Sequence, residues 1–361
     1  MSVPPKTRTR DPRFDLLRVL ACFGVLFLHA TGAVARDPSL DGDVFCCLVL
    51  HSLFRGAAMP VFFMTSGRFL LDRLAKSDLD KAEVQAFYAK RARRVWLPTL
   101  LWSLFYVVVA VLYRSLDGAP TSWRETCRDW LLFGKPGAGY HMWFLYVMFA
   151  LDLAAPYLAR ATRRFSARAL CFFAFLSLAV FAVVTTRSIM RGGSGQSEII
   201  VWALAFGYAP YYVLGWLVSK LENANERRLR NVRRASLAAY LLSTAGLFWT
   251  TYAFGVDYAR NEFLPLAVLQ TLAAFAYFAA RPISTNAFDS KFATLVERLA
   301  GLTFGVYLVH VAVMPIATRV LERAVCLSPA SEAIAVAFIT ALASGLVVAV
   351  MKKLPYVKRL V

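Results

Sequence analysis

Runs of about 20 apolar residues recur along this chain, and that is the length an α-helix needs to cross the hydrocarbon of a bilayer. The first is FDLLRVLACFGVLFLHATG, over Phe14–Gly32. A bilayer interior offers the backbone no water, so each such run must be a helix that satisfies its own N–H and C=O groups. Ten runs can be drawn, over residues 14–34, 44–67, 95–113, 141–159, 169–187, 198–219, 235–254, 263–280, 300–320 and 332–351. The 59% share of hydrophobic residues exceeds what soluble domains carry. The expected fold is all-α: a polytopic membrane protein of about ten transmembrane helices. With no internal repeat, it reads as one domain over 14–351, flanked by short tails, 1–13 and 352–361.

The net charge of +19 would suggest nucleic acid in a soluble chain. Its placement says otherwise. With the N-terminus inside, segments on the cytoplasmic side hold 29 Lys and Arg, and those on the outer side hold 10. That asymmetry is the positive-inside pattern, so both termini are expected in the cytoplasm. Membrane lipid is the expected surroundings, and no nucleic-acid partner is expected. Six cysteines show no CxxC and no zinc-like spacing with His, so neither a disulfide framework nor a metal site is expected. Residues 1–35 imitate a signal peptide, with a basic start, an apolar core and Ala33–Ala35 reading AVA. Cleavage there would discard Arg18 and His29, and the segment is expected to stay.

Ionisable groups inside spans are costly and mark functional sites by default. On a helix, Arg18 and His29 lie about 20° apart in direction and about 16 Å apart along the axis. Asp15 precedes Arg18 by three residues on the same stripe. The bland alternative is an Arg reaching for headgroups and a His bonded to a carbonyl. The other histidines are His51, His141 and His310, all in or at the mouths of spans. His51 is followed by Arg55, a second buried cation. His141 opens HMWFLYVMFALDLAAPYL after a Gly-rich stretch, and Asp152 shares its face 11 residues on. As an alternative, His141 and Trp143 form an interfacial anchor. His310 lies near mid-membrane, as consistent with a structural as with a functional role. Lys90, Arg91, Arg93 and Arg94 cluster before a span, beside Tyr88 and Trp96. Topology or anionic lipid accounts for part of this, and guanidinium forks next to a stacking ring also suit a phosphate-rich nucleotide.

Taken in order, these motifs resemble the acyltransferase-3 family of integral membrane acyltransferases, from Arg13 to about Val313. The resemblance rests on RFDLLRVLACFGVLFLHA, with Arg18 and His29 in an Arg-x10-His arrangement, and on AAMPVFFMTSGRFLL. It continues through RARR before VWLPTLLW, with Arg91 and Arg94 in Arg-x-x-Arg spacing, then HMWFLYVMFALDLAAPYL, YYVLGWLV and LTFGVYLVHVAV. It looks most like the stand-alone members that O-acetylate sugars of surface polysaccharides. What it implies is an acyl-CoA donor, most often acetyl-CoA, and a carbohydrate or lipid-linked glycan acceptor at a bacterial inner membrane. Arg91 and Arg94, helped by Arg93, would hold the CoA phosphates, and Arg18 would line the donor path or stabilise thioester charge. His29 would be the catalytic base, or a transient acyl carrier. His141, Asp152 and Asp15 would orient the acceptor or the catalytic groups, and Ser66 occupies a motif position that helix packing also explains. The rival reading is a proton-coupled transporter or lipid-sugar flippase. It lacks, in the sequence, a matched pair of Gly- or Pro-broken spans.

Overall fold

The computed structural model describes residues 11–37, 41–116, 124, 140–191, 201–254, 262–281 and 290–361. The Gly-rich stretch 134–139 lies outside them. The chain forms α1 (Pro12–Ala30), α2 (Asp41–Phe54), α3 (Met59–Leu74), α4 (Lys81–Arg91), α5 (Leu97–Leu116), α6 (Trp143–Arg164) and α7 (Ala167–Met190). It continues with α8 (Val201–Ser219), α9 (Glu226–Phe254), α10 (Pro265–Ala279), α11 (Ser290–Ala300), α12 (Thr303–Ala324) and α13 (Pro329–Met351). No strand occurs among the described residues. Six helical stretches are long and apolar enough to cross a membrane: 41–74, 81–112, 140–164, 167–188, 303–324 and 329–351. The other four expected spans fall on α1, α8, α9 and α10. Of these, α10 has 15 residues, and α1 carries Arg13, Asp15 and Arg18 in its first two turns.

Local chemistry sets the ends of these helices. Asp11 caps α1 by accepting from Arg13 N–H at 3.1 Å, with Pro12 at the first helical position. The segment expected to be an N-terminal tail therefore becomes structured at Asp11. Asp80 caps α4 in the same way, accepting from Glu83 N–H at 2.7 Å. The other expected tail is also folded. Trp102 Nε1 donates to the Leu360 carbonyl at 3.0 Å, and Val361 packs with Cys22, Leu26, Val306 and Val348.

The expected single span 44–67 is two helices, parted at Arg55–Ala58. Non-helical backbone at membrane depth survives only where protein satisfies it. Here α9 and α10 do so. Gly56 N–H donates to Gln270 Oε1 at 2.6 Å, and Thr271 Oγ1 donates to the Gly56 carbonyl at 2.6 Å. Gln270 Nε2 donates to the Ser52 carbonyl at 2.8 Å, and the Tyr240 hydroxyl to the Leu53 carbonyl at 2.5 Å. A Cβ on residue 56 would meet the Ala267 carbonyl, so only glycine fits.

Two more glycines set the closest helix pair. A Cβ on Gly67 of α3 would overlap the Tyr212 backbone, and one on Gly215 of α8 would overlap Met64. Small residues let helix backbones approach in lipid, where burial in water supplies no drive. At one end of the bundle, Arg13 (2% exposed) ties the start of α1 to the turn Lys220–Asn223 and to the end of α10. It bonds Asp11 at 2.7 Å and Glu222 at 3.3 Å, and donates to the last carbonyls of α10 at Ala279 (3.1 Å) and beyond it at Arg281 (2.7 Å). Arg68 of α3 joins Glu222 at 2.5 Å and lies 4.2 Å over the Phe14 ring.

Gln270→Leu should leave the Gly56 N–H and the Ser52 carbonyl unpaired, at a cost of roughly 1–3 kcal/mol for each group. Thermal unfolding of the detergent-purified protein should show a clear fall in midpoint. Gly67→Val should abolish monodisperse protein, because backbone cannot yield to the added methyls.

Candidate active site

Three of the four histidines meet. His29 sits in the last turn of α1, His141 in the 3₁₀ turn Tyr140–Met142 that leads into α6, and His310 in α12. The His29 and His310 rings stack with centroids 5.3 Å apart, and His310 meets His141 edge-on at 5.2 Å. Helix register explains the meeting. Cys22 Sγ lies 3.7 Å from the Thr303 carbonyl, so α12 begins level with Cys22. His29 is seven residues beyond Cys22, and His310 is seven beyond Thr303, about 10 Å along each axis.

Aromatic hydroxyls fix the cluster. Tyr106 of α5 places its ring 4.8 Å from His141 and donates to the Leu308 carbonyl at 2.6 Å. The Tyr307 hydroxyl donates to the His141 carbonyl. Tyr140 Oη lies 3.2 Å from His29 Nδ1. His141 and His310 are fully buried, while His29 is partly exposed. His51 is buried on α2 and does not belong to the cluster. His310, read from sequence as equally structural or functional, is at the centre of the group.

Asp152 lies elsewhere. It is 11 residues past His141, about 16 Å down α6, and it is 0% exposed. Its Oδ2 accepts from Arg91 Nε at 2.7 Å. The face shared in sequence by His141 and Asp152 thus serves two levels of the bundle. Between α4 and α5 the backbone takes a π-helical turn over Ala92–Trp96. The Trp96 ring at the end of this turn contacts Phe149 of α6 at 4.7 Å and Tyr88 at 6.0 Å. Arg93 and Arg94 project into the open, whereas Arg91 is mostly buried against Asp152. Of the arginines expected to act together, the structure separates Arg91 from the other two.

Asp15 and Arg18 pair as their spacing predicts, with Arg18 Nη1 3.1 Å from Asp15 Oδ1. The carboxylate is buried, while the guanidinium is 33% exposed and lies 5.2 Å over the Phe69 ring. Three segments run a similar length from the histidine end. Arg18 to His29 along α1, Asp152 of α6 back to His141 in the preceding turn, and Trp96 in the π turn to Tyr106 of α5 each cover about 15–16 Å.

A further buried group escaped sequence reading. Glu262, just before α10, pairs with Arg55 at 3.6 Å. Its carboxylate accepts from the Tyr208 hydroxyl, and its carbonyl accepts from Tyr211 at 2.5 Å. Trp143 lies 5.5 Å from Tyr208, so this network sits one ring from the residues that follow His141. Arg55 was visible as a buried cation. Its partner lies in a segment between spans, where an acidic residue gives no signal.

Asp152→Ala should leave the Arg91 guanidinium buried without its partner, at a cost of about 3–5 kcal/mol. Pairing it with Arg91→Leu should recover most of that loss. A double-mutant cycle on the unfolding midpoint checks this.

The geometry can be set against known proteins. The model of the acyltransferase domain of the acyltransferase-3 family matches residues 11–350. No curated protein and no solved structure matches the chain. The match spans nearly all the helices described above, including the histidine cluster and the arginines of the π turn. This chain belongs to the acyltransferase-3 family of membrane acyltransferases.

Proposed function

We propose that the protein is an O-acyltransferase. It moves an acyl group, most simply acetyl, from cytoplasmic acyl-CoA to a hydroxyl of a cell-surface or lipid-linked carbohydrate on the outer side of a bacterial inner membrane. The observation that carries this reading is the two-level arrangement. Guanidinium groups and stacking rings lie about 16 Å from a buried histidine cluster, on the same helices. An extended donor with phosphates at one end and a thioester at the other suits that spacing.

In this reading, Arg93 and Arg94 take the CoA phosphates, with Trp96 and Tyr88 near the adenine. Arg91, held by Asp152, fixes the turn that presents them. Arg18, anchored by Asp15, lines the path of the pantetheine arm. His29 meets the thioester end, as base or as transient acyl carrier, and His141 orients the acceptor. The hydroxyl oxygen bonds to the acyl carbon, the carbon–sulfur bond breaks, and the hydroxyl proton ends on the thiolate. Products are an ester and free CoA.

The transporter reading gains one feature, the broken span α2–α3, since interrupted helices bind ions in transporters. The backbone groups named at this break are engaged by Gln270, Thr271 and Tyr240, which argues against ion coordination there.

His29→Ala should lower acyl transfer by about 10²–10⁴-fold in protein that inserts and folds normally, the range for loss of a proton-transfer group. Transfer at the wild-type rate would remove His29 from the chemistry. Arg93→Ala combined with Arg94→Ala should raise the KM for acetyl-CoA with little change in kcat, read by steady-state kinetics on membranes. CoA should also raise the thermal unfolding midpoint of the wild type, and less so that of this variant.

A further inference from the structure

The three clustered histidines are not equivalent. His310 Nδ1 lies 2.7 Å from the Tyr307 carbonyl. A carbonyl oxygen can only accept, so Nδ1 carries the proton and Nε2 carries the lone pair. That Nε2 is buried and has no hydrogen-bond partner. His141 is also buried, and neither ring nitrogen makes a hydrogen bond of good geometry, although the Leu308 carbonyl lies nearby; the neutral ring carries one N–H and one lone pair. The nearby hydroxyls are committed elsewhere: Tyr106 donates to the Leu308 carbonyl and Tyr307 to the His141 carbonyl. His29 differs, because its Nδ1 faces the hydroxyl of Tyr140, which can donate or accept. Its tautomer is therefore open.

Buried polar nitrogens without partners call for a polar guest. An alcohol hydroxyl, which both donates and accepts, complements this pair as a water molecule would. It donates to His310 Nε2 and accepts from the His141 N–H. We propose that His310 and His141 form the acceptor-hydroxyl site, and that His310 Nε2 is the base that takes the hydroxyl proton. This rests on the acyltransferase reading and assigns within it the role that His29 alone would otherwise fill. The O–H bond breaks as oxygen bonds to the acyl carbon. The acyl carbon–sulfur bond breaks, and His310 returns the proton to the thiolate, leaving ester, free thiol and neutral imidazoles. His29 is left to the thioester side. Throughout, the Tyr307 carbonyl holds Nδ1–H and steadies the transient imidazolium.

His310→Asn separates this role from packing, because the asparagine amide can still donate to the Tyr307 carbonyl but offers nothing at the Nε2 position. The assay supplies labelled acetyl-CoA and two acceptors to native membranes carrying the protein. One acceptor is the membrane glycan, whose hydroxyl needs a base. The other is hydroxylamine, which attacks thioesters without one at neutral pH; its reaction with acetyl-CoA on membranes lacking the protein is subtracted, so that only protein-dependent hydroxamate is counted. The expected result is a loss of glycan labelling of about 10²–10⁴-fold, an unchanged KM for acetyl-CoA, and hydroxamate formation at the wild-type level. If both products fall together, or if glycan labelling persists, the assignment is overturned. His310→Gln, which leaves an amide near Nε2, repeats the test should the Asn variant fail to insert. A wild type that is active while both His310 variants match it sinks this inference alone. A wild type that makes neither product above the protein-free background sinks the acyltransferase reading and the inference with it.

Discussion

A bilayer interior supplies no water, so every polar group placed there must be answered by protein. The architecture can be read as the list of those answers. The Gly56 break is answered by Gln270 and Thr271, Arg91 by Asp152, Arg55 by Glu262, and Arg13 by Asp11, Glu222 and the end of α10. Each answer ties together segments far apart in sequence. The polar groups therefore specify which helices are neighbours, while the apolar surfaces are satisfied by lipid or by one another without much preference. Gly67 and Gly215 add shape to this, by admitting one particular partner backbone each.

The ring nitrogens of His141 and the Nε2 of His310 belong to a smaller set of buried polar atoms without a hydrogen-bond partner, which also holds Tyr212 Oη and Trp216 Nε1, and they are the ones gathered beside a third histidine. They are as deeply buried as Asp152, yet no described side chain completes them. The same contrast separates the arginines. Arg13 and Arg91 are consumed by structural carboxylates, whereas Arg93 and Arg94 face outward and retain the freedom to bind an anion.

Run length made the helical, membrane-embedded class legible, and i,i+3 spacing made the Asp15–Arg18 pair legible. The break inside 44–67 was hidden, because its cause, Gln270, lies more than 200 residues away and reads alone as an ordinary polar residue in a span. Arg91 and Asp152 were each visible, but their pairing was not, since 61 residues separate them. His310 was placed inside a span, and it lies seven residues past the start of α12. What sequence could not supply was the depth at which α12 starts. The contact between Cys22 and Thr303 sets that depth and carries His310 to His29. In each case the missing information is an offset between two helices, which periodicity within one helix does not encode.

The π-helical turn at Ala92–Trp96 bears on how such a protein can change over evolutionary time. A π turn accommodates one residue more than an α turn while the helices on either side continue. The surplus is taken up where Arg93 and Arg94 project. The flanking contacts, Arg91 with Asp152 and Trp96 with Phe149, lie at its two edges. Loss of a single codon within the turn could therefore be absorbed as ordinary α-helix, with the packing of α4 and α5 against α6 preserved. The surface that meets the open would be reshaped by length rather than by substitution. Lineages of this chain have in that turn a route to a different exposed surface that leaves the buried contacts untouched.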